Sequence, residues 1–253
     1  MDTLNTTTDG AVLIVEMNRP DALNALNAAM IDDLAETFLE AATDDAVKVL
    51  LLTGAGRAFS AGADLAEMGT DLPEPRHGLQ AMIDAIICFP KPFIVAINGV
   101  GAGYGATVAG LADLTFIAEG ARLRCPFSAL GLVPELASSH TFQRLMGRQR
   151  ATWFLMSSQW VDAAECVEAG LAFKCCPDDE LMDTAMGHAR TLAALPLSSL
   201  VATKELIVGP QLDQMLAASR TENAGLDRMF GSPANREAVS AFRERREPDF
   251  TGM

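Results

Sequence analysis

Two segments hold the residue types from which an anion-binding main chain can be built. The first is Gly54-Ala55-Gly56-Arg57-Ala58-Phe59-Ser60-Ala61-Gly62-Ala63-Asp64-Leu65, and the second is Asn98-Gly99-Val100-Gly101-Ala102-Gly103-Tyr104-Gly105-Ala106. Each follows an apolar run, so each reads as a strand-to-helix turn. Small side chains let a ligand approach the backbone, and a helix start leaves N–H groups without intrahelical partners. Two such turns at neighbouring strand ends can each direct one N–H at a single anionic oxygen. Taken singly, each turn reads more readily as an ordinary tight connection than as a binding site. The second contains GxGxG, yet its third Gly is misplaced for GxGxxG and the segment does not open the first βαβ unit, which argues against dinucleotide binding.

Other chemistry-bearing residues are isolated. His77, His140 and His188 have no nucleophile or metal-ligand partner at telling spacing and read as surface or satisfied core residues, with His140 able to border a site that includes Glu135. No metal and no redox cofactor is implied. The five cysteines, Cys88, Cys125, Cys166, Cys175 and Cys176, are odd in number and lack CxxC spacing, so they read as buried thiols of a reducing compartment. Phe127 and Phe142 suit either an acyl pocket or plain core.

The elements that must position these turns follow from apolar patterning. Runs at 11–17, 48–54, 93–99 and 113–120 read as buried strands. Helices are expected from Asn27, a plausible N-cap, to Asp44-Asp45, then around 78–89 and near 103–111. Strands alternating with helices imply a parallel sheet built from crossover units. Beyond about residue 138 only 171–176 looks strand-like, and the rest reads as helical with breaks at Pro196, Gly209-Pro210 and Ser232-Pro233. At 253 residues the chain suits one α/β domain with a small helical appendage. A formal charge of −14 without a basic patch disfavours polyanions and anionic lipid surfaces as partners. The N-terminal MDTLNTTTDG has no basic or apolar leader pattern, and no apolar run approaches the ~20 residues of a membrane span, so a cytoplasmic protein is expected.

In order and spacing, NRPDALNAL (18–26), GRAFSAGADLAEM (56–68), KPFIVAINGVGAGYGATVAGLADL (91–114), PFSALGLVPE (126–135) and AFRERREPDF (241–250) resemble the crotonase family, the enoyl-CoA hydratase/isomerase superfamily. The resemblance spans nearly the whole chain and implies an α/β crotonase-like fold of repeated ββα units with parallel sheets. It implies a core of residues 1–195 carrying the coenzyme A and oxyanion site, and a C-terminal helical region, 196–253, that joins subunits into a homotrimer or hexamer. The substrate it implies is an acyl-CoA thioester, with coenzyme A as part of the substrate and not a separate cofactor. By position, the oxyanion N–H groups fall on Ala63 and Tyr104, and Ala25, Ala61, Gly62, Asp64 and Leu65 lie along the coenzyme A. Many relatives carry Gly where Tyr104 stands, which leaves the main-chain donor intact but demands room for a phenol. Asp64 reads equally as a cap for the following helix.

Hydration in this family uses two carboxylates around a water, and the matching positions here are Thr107 and Phe127, so a conventional hydratase is disfavoured. Glu135 instead resembles the single catalytic carboxylate of Δ3,Δ2-enoyl-CoA isomerases of fatty acid oxidation. One base beside C2 and C4 can remove a proton from one carbon and return it to the other, while the dienolate charge rests on the thioester oxygen. Leu132, Val133 and Leu136 should desolvate Glu135 and raise its proton affinity. Read locally, Glu135 is also a helix-start Glu favoured by the dipole. Two further expectations stand beside this one: hydration or other enolate chemistry with acids drawn from Asp64, Glu67 or Asp71, and a non-catalytic scaffold or RNA-associated member of the fold.

Overall fold

A computed structural model describes residues 3–64, 67 and 74–253. The chain opens with a hairpin, β1 (Leu4–Asp9) and β2 (Val12–Met17), and then a helix, α1 (Ala28–Thr43). The Asn27 side chain accepts the Met30 N–H at 3.0 Å and so starts α1 as its sequence suggests. Three ββα units follow. They are β3 (Val49–Gly54), β4 (Ala58–Ser60) and α2 (Gly78–Ile87); β5 (Phe93–Ile97), β6 (Val100–Ala102) and α3 (Tyr104–Thr107); then β7 (Leu114–Ala118), β8 (Arg122–Arg124) and α4 (Ser138–Ser157). The remainder comprises β9 (Trp160–Asp162), α5 (Ala163–Ala169), β10 (Lys174–Cys176), α6 (Leu181–Ala193), α7 (Leu197–Met229) and α8 (Pro233–Glu244).

The first strand of each unit joins a six-stranded sheet of order β1-β2-β3-β5-β7-β10, and the second joins a four-stranded sheet of order β4-β6-β8-β9. All neighbours in the large sheet are parallel except β1 with β2. β3 and β5 are buried along their whole length, which is why they read as unbroken apolar runs. In the small sheet β4 and β6 are parallel neighbours, Ala58 pairing with Val100 and Ser60 with Gly101. Their carboxyl ends therefore emerge side by side and deliver both Gly-rich turns to one place.

Several elements depart from the sequence expectation. β1 (LNTTTD) is a polar edge strand with four consecutive exposed residues, so no apolar run announces it. β9 is only three residues long. The helix expected near 103–111 stops at Thr107 and tightens into a 3-10 turn over Val108–Gly110, where Gly110 lies against Thr141 and Phe142. The break expected at Gly209-Pro210 does not occur, because α7 runs through it for 33 residues. Proline removes the N–H that would bond the Leu206 carbonyl, and Leu206, Gly209 and Pro210 all face solvent, where water can take that carbonyl. Among the described residues no single helix is long and apolar enough to cross a membrane.

Candidate active site

The site begins with two glycines in the left-handed half of backbone space, Gly62 at φ +87° and Gly103 at φ +52°. A β-carbon on Gly62 would come within 2.8 Å of the Ala102 carbonyl oxygen, and one on Gly103 would sit 3.6 Å from the Gly62 α-carbon. The two turns are thus in backbone contact, which only glycine permits. The residues that follow, Ala63 and Tyr104, are brought together with them.

Ala63 forms a parallel bridge with Leu26. Leu26 N–H donates to the Gly62 carbonyl at 2.7 Å, and Asp64 N–H donates to the Leu26 carbonyl at 2.9 Å. The Ala63 N–H lies on the opposite edge, has no acceptor among the described residues, and belongs to an exposed residue. Tyr104 opens α3, so its N–H has no intrahelical partner. The Gly103 carbonyl accepts from Ala106 and Thr107, Gly103 N–H donates to Arg124, and nothing described accepts from Tyr104 N–H. The Tyr104 ring finds its room in the core, where the hydroxyl is buried without a partner among the described residues.

Glu135 arrives from a third segment. Its Oε1 lies 3.5 Å from where a β-carbon on Gly103 would stand, so the carboxyl faces the turn that presents Tyr104 N–H. Burial, and after it the negative charge of Glu222, push its pKa from 4.5 up to about 7. The local reading of Glu135 as a helix-start residue gives way to a geometric one, since α4 begins three residues later at Ser138. The intervening Leu136 and Ala137 both adopt φ +55°. Ser138 closes the turn with its hydroxyl and N–H donating to the Glu135 carbonyl at 2.6 and 3.0 Å.

The two positions at which relatives carry hydration carboxylates are occupied otherwise. The Thr107 hydroxyl donates to the Gly103 carbonyl at 3.1 Å, and Phe127 is buried in the core. Asp64 accepts from Arg19 at 2.9 Å, and Glu67 accepts the Ala28 N–H at 2.9 Å. Leu65 and Asp71 lie outside the described residues, as does most of the segment where a helix capped by Asp64 was expected. Ala25, Ala61, Gly62 and Asp64 gather along one wall: Ala61 N–H donates to the Leu23 carbonyl at 2.9 Å, and Arg19 ties the Ala25 carbonyl to the Asp64 carboxylate.

The remaining candidates separate cleanly. His77 pairs with Glu36 at 2.7 Å, and His188 Nδ1 donates to the Thr184 carbonyl at 2.9 Å while the ring packs on Phe116 and Phe173. His140 keeps a buried Nε2 without a described partner, and burial followed by Arg144 lowers its pKa. The Cys125 thiol is buried and pushed well above its usual range by desolvation. Two residues of the site escaped sequence reasoning. Arg19 sits in a quoted motif with nothing local to show its reach across 45 residues to Asp64. Glu222, 85 residues beyond Ala137, had no local signal at all.

The sequence profile described as enoyl-CoA hydratase/isomerase matches residues 7–253. The chain is 36% identical to the 1,2-epoxyphenylacetyl-CoA isomerase of Escherichia coli (strain K12), with 95% of each chain covered. It is 32% identical to the 2,3-dehydroadipyl-CoA hydratase of the same organism, again with 95% of each covered. Among solved structures, an enoyl-CoA hydratase/isomerase from Pseudoalteromonas atlantica T6c superposes with a TM-score of 0.93 at 32% identity, over 98% of this chain and 99% of that one. These relatives are named for different reactions on CoA thioesters, so similarity fixes the scaffold and the thioester more firmly than the bond that changes. With its profile matched over nearly its full length and its two glycine turns back to back, the chain belongs to the enoyl-CoA hydratase/isomerase family.

Proposed function

We propose that this enzyme shifts the double bond of a 3-enoyl-CoA to the 2-trans position, with Glu135 as the single acid and base. The observation that carries this reading is one carboxyl with a pKa of about 7, facing a turn whose main-chain N–H is unpaired. Glu135 removes a proton from C2 of the 3-enoyl thioester and delivers it to C4, so the double bond moves from C3–C4 to C2–C3; in the reverse direction it takes the proton from C4 and delivers it to C2. The negative charge that develops meanwhile on the thioester oxygen is met by Ala63 and Tyr104 N–H, donors already oriented before the reaction. The coenzyme A moiety lies along Ala25 and the stretch Ala61, Gly62, Asp64 and Leu65. Filling the hydration positions with Thr107 and Phe127 supports isomerisation over addition of water.

Glu135→Gln is expected to lose about 10²- to 10⁴-fold in turnover, the range of a general base, while CoA-ester affinity is retained. Undiminished turnover of a 3-enoyl-CoA by that variant would sink the assignment. Hydration is the second reading, favoured by the 32% identity to a protein named as a hydratase. Accumulation of a 3-hydroxyacyl-CoA from 2-enoyl-CoA and water would select it.

A further inference from the structure

The turn that aims Glu135 cannot hold its shape unaided. Leu136 and Ala137 are consecutive non-glycine residues at φ +55°, a conformation that costs such residues on the order of 1 kcal/mol each. As at any helix start, the first N–H groups of α4 lack intrahelical acceptors. Glu222, on α7, supplies them: Oε2 accepts Ala137 N–H at 2.6 Å and Oε1 accepts Ser139 N–H at 2.8 Å. Glu222 is 6% exposed, and no cation pairs with it among the described residues. Helix capping alone does not call for a buried charge, since a neutral Ser or Asn does it without the desolvation cost. α7 is held tightly at this point, because a β-carbon on Gly225 would come within 2.8 Å of Val133. Met215, Ser219, Glu222 and Gly225 form the buried face of that helix.

We infer that Glu222 is the positioning residue of this active site: it clamps the left-handed Leu136–Ala137 turn that aims Glu135. Its charge also acts on Glu135, and burial raises its own pKa against the opposing pull of the Ser139 and Ala137 hydrogen bonds. The inference rests on Glu135 being the acid and base. Both Glu222 oxygens are occupied by amides, so it is not the second carboxylate of a water-activating pair. The other titratable groups around this turn are shifted toward their neutral forms. Tyr104 on α3 and Cys125 after β8 are both raised, by burial first and then by Glu135. On α4, burial and then Arg144 hold His140 toward its neutral form. Around Glu222 itself, α2 presents Gln80, whose amide donates to Asp84 at 2.8 Å and reaches Ser219 at 3.4 Å.

The test is the pH profile of kcat/KM for 3-enoyl-CoA isomerisation in Glu222→Gln, Glu222→Asp and Glu135→Gln. Wild type rises through an acid limb near pH 7 as Glu135 deprotonates. Glu222→Gln removes one charge and turns an acceptor into a donor facing an amide. Its limb is expected about one unit lower and its kcat about tenfold or more reduced, with KM changed less than about twofold. Adding Ala137→Gly, which takes φ +55° without strain, should restore part of kcat and leave the limb displaced. Should Glu222→Gln fail to fold, Glu222→Asp carries the test: the charge stays and the reach shortens, so kcat falls while the limb remains near 7. A wild-type limb and kcat in Glu222→Gln, or unreduced kcat or a displaced limb in Glu222→Asp, overturns the inference. If Glu135→Gln also isomerises normally, the functional reading fails with it. If Glu135→Gln is inactive, only the role of Glu222 falls.

Discussion

Glu135 is a carboxyl whose surroundings favour its protonated form, and that preference is linked to stability. Its folded pKa of about 7 stands above the ordinary 4.5, so the fold binds this proton more tightly than the unfolded chain does. The stabilisation is complete below pH 4.5 and is lost as pH rises through 7. The two values span about 3 kcal/mol, and partial access of the side chain to the cleft lowers the expected effect to about 1–3 kcal/mol. Glu135→Gln should therefore resist denaturant better than wild type at pH 8 and no better at pH 4. Equal stability differences at both pH values would show that Glu135 is not desolvated in the fold. Of the residue-level expectations, the meeting of Ala63, Tyr104 and Glu135 in one place was legible because glycine spacing and family motifs mark them. Glu222 was not, since its partners are amides of a turn whose strain no local pattern announces.

At the scale of elements, the site is an arrangement of turns held by side chains behind them. Asn24 is fully buried and itself sits at φ +53°, which Asn tolerates better than most residues. Its Nδ2 donates to the Ala55 and Ala58 carbonyls at 2.9 and 2.8 Å, and its Oδ1 accepts Arg19 N–H at 2.9 Å. Ser60 Oγ donates back to the Asn24 carbonyl at 2.8 Å, coupling this residue to the strand that leads into Gly62. Asn24→Ala leaves several buried backbone groups unpaired and should destabilise the protein by about 2–4 kcal/mol, measured by denaturant unfolding. A loss under about 0.5 kcal/mol would show that water replaces the network. The apolar strands of the large sheet were legible, as β3 and β5 are, whereas β4, β6 and β8 of the small sheet, three residues each, lie inside or beside the turns and gave no run of their own. The polar edge strand β1 and the short β9 were likewise not legible, and the proline within α7 reads as a stop only when solvent access to its i−4 carbonyl is unknown.

For the whole molecule, the C-terminal helices are part of the site as well as a candidate contact surface. α7 reaches the Glu135 turn through Glu222 and Gly225, and α8 reaches the preceding turn through Asn235, whose Nδ2 donates to the Leu130 carbonyl at 2.8 Å. Contacts with the Glu135 turn therefore cross the boundary expected at residue 196. Beside the C-terminal region expected to join subunits, α4 offers a further exposed apolar face, where Trp153 and Met156 are 65% and 67% exposed. We propose that this face joins copies of the chain into a trimer or a pair of trimers. Sedimentation should give three or six chains per particle for wild type and single chains for Trp153→Glu with Met156→Glu; a monomeric wild type would refute the assembly.

The back-to-back glycines and the distant clamp also set an order of events at the ribosome. The two amide donors come from the first half of the polypeptide, whereas the carboxyl is aimed only once α7 has been made and docked. On the proposed assignment, synthesis therefore delivers both amide donors before it delivers the carboxyl, and the carboxyl before the clamp that aims it.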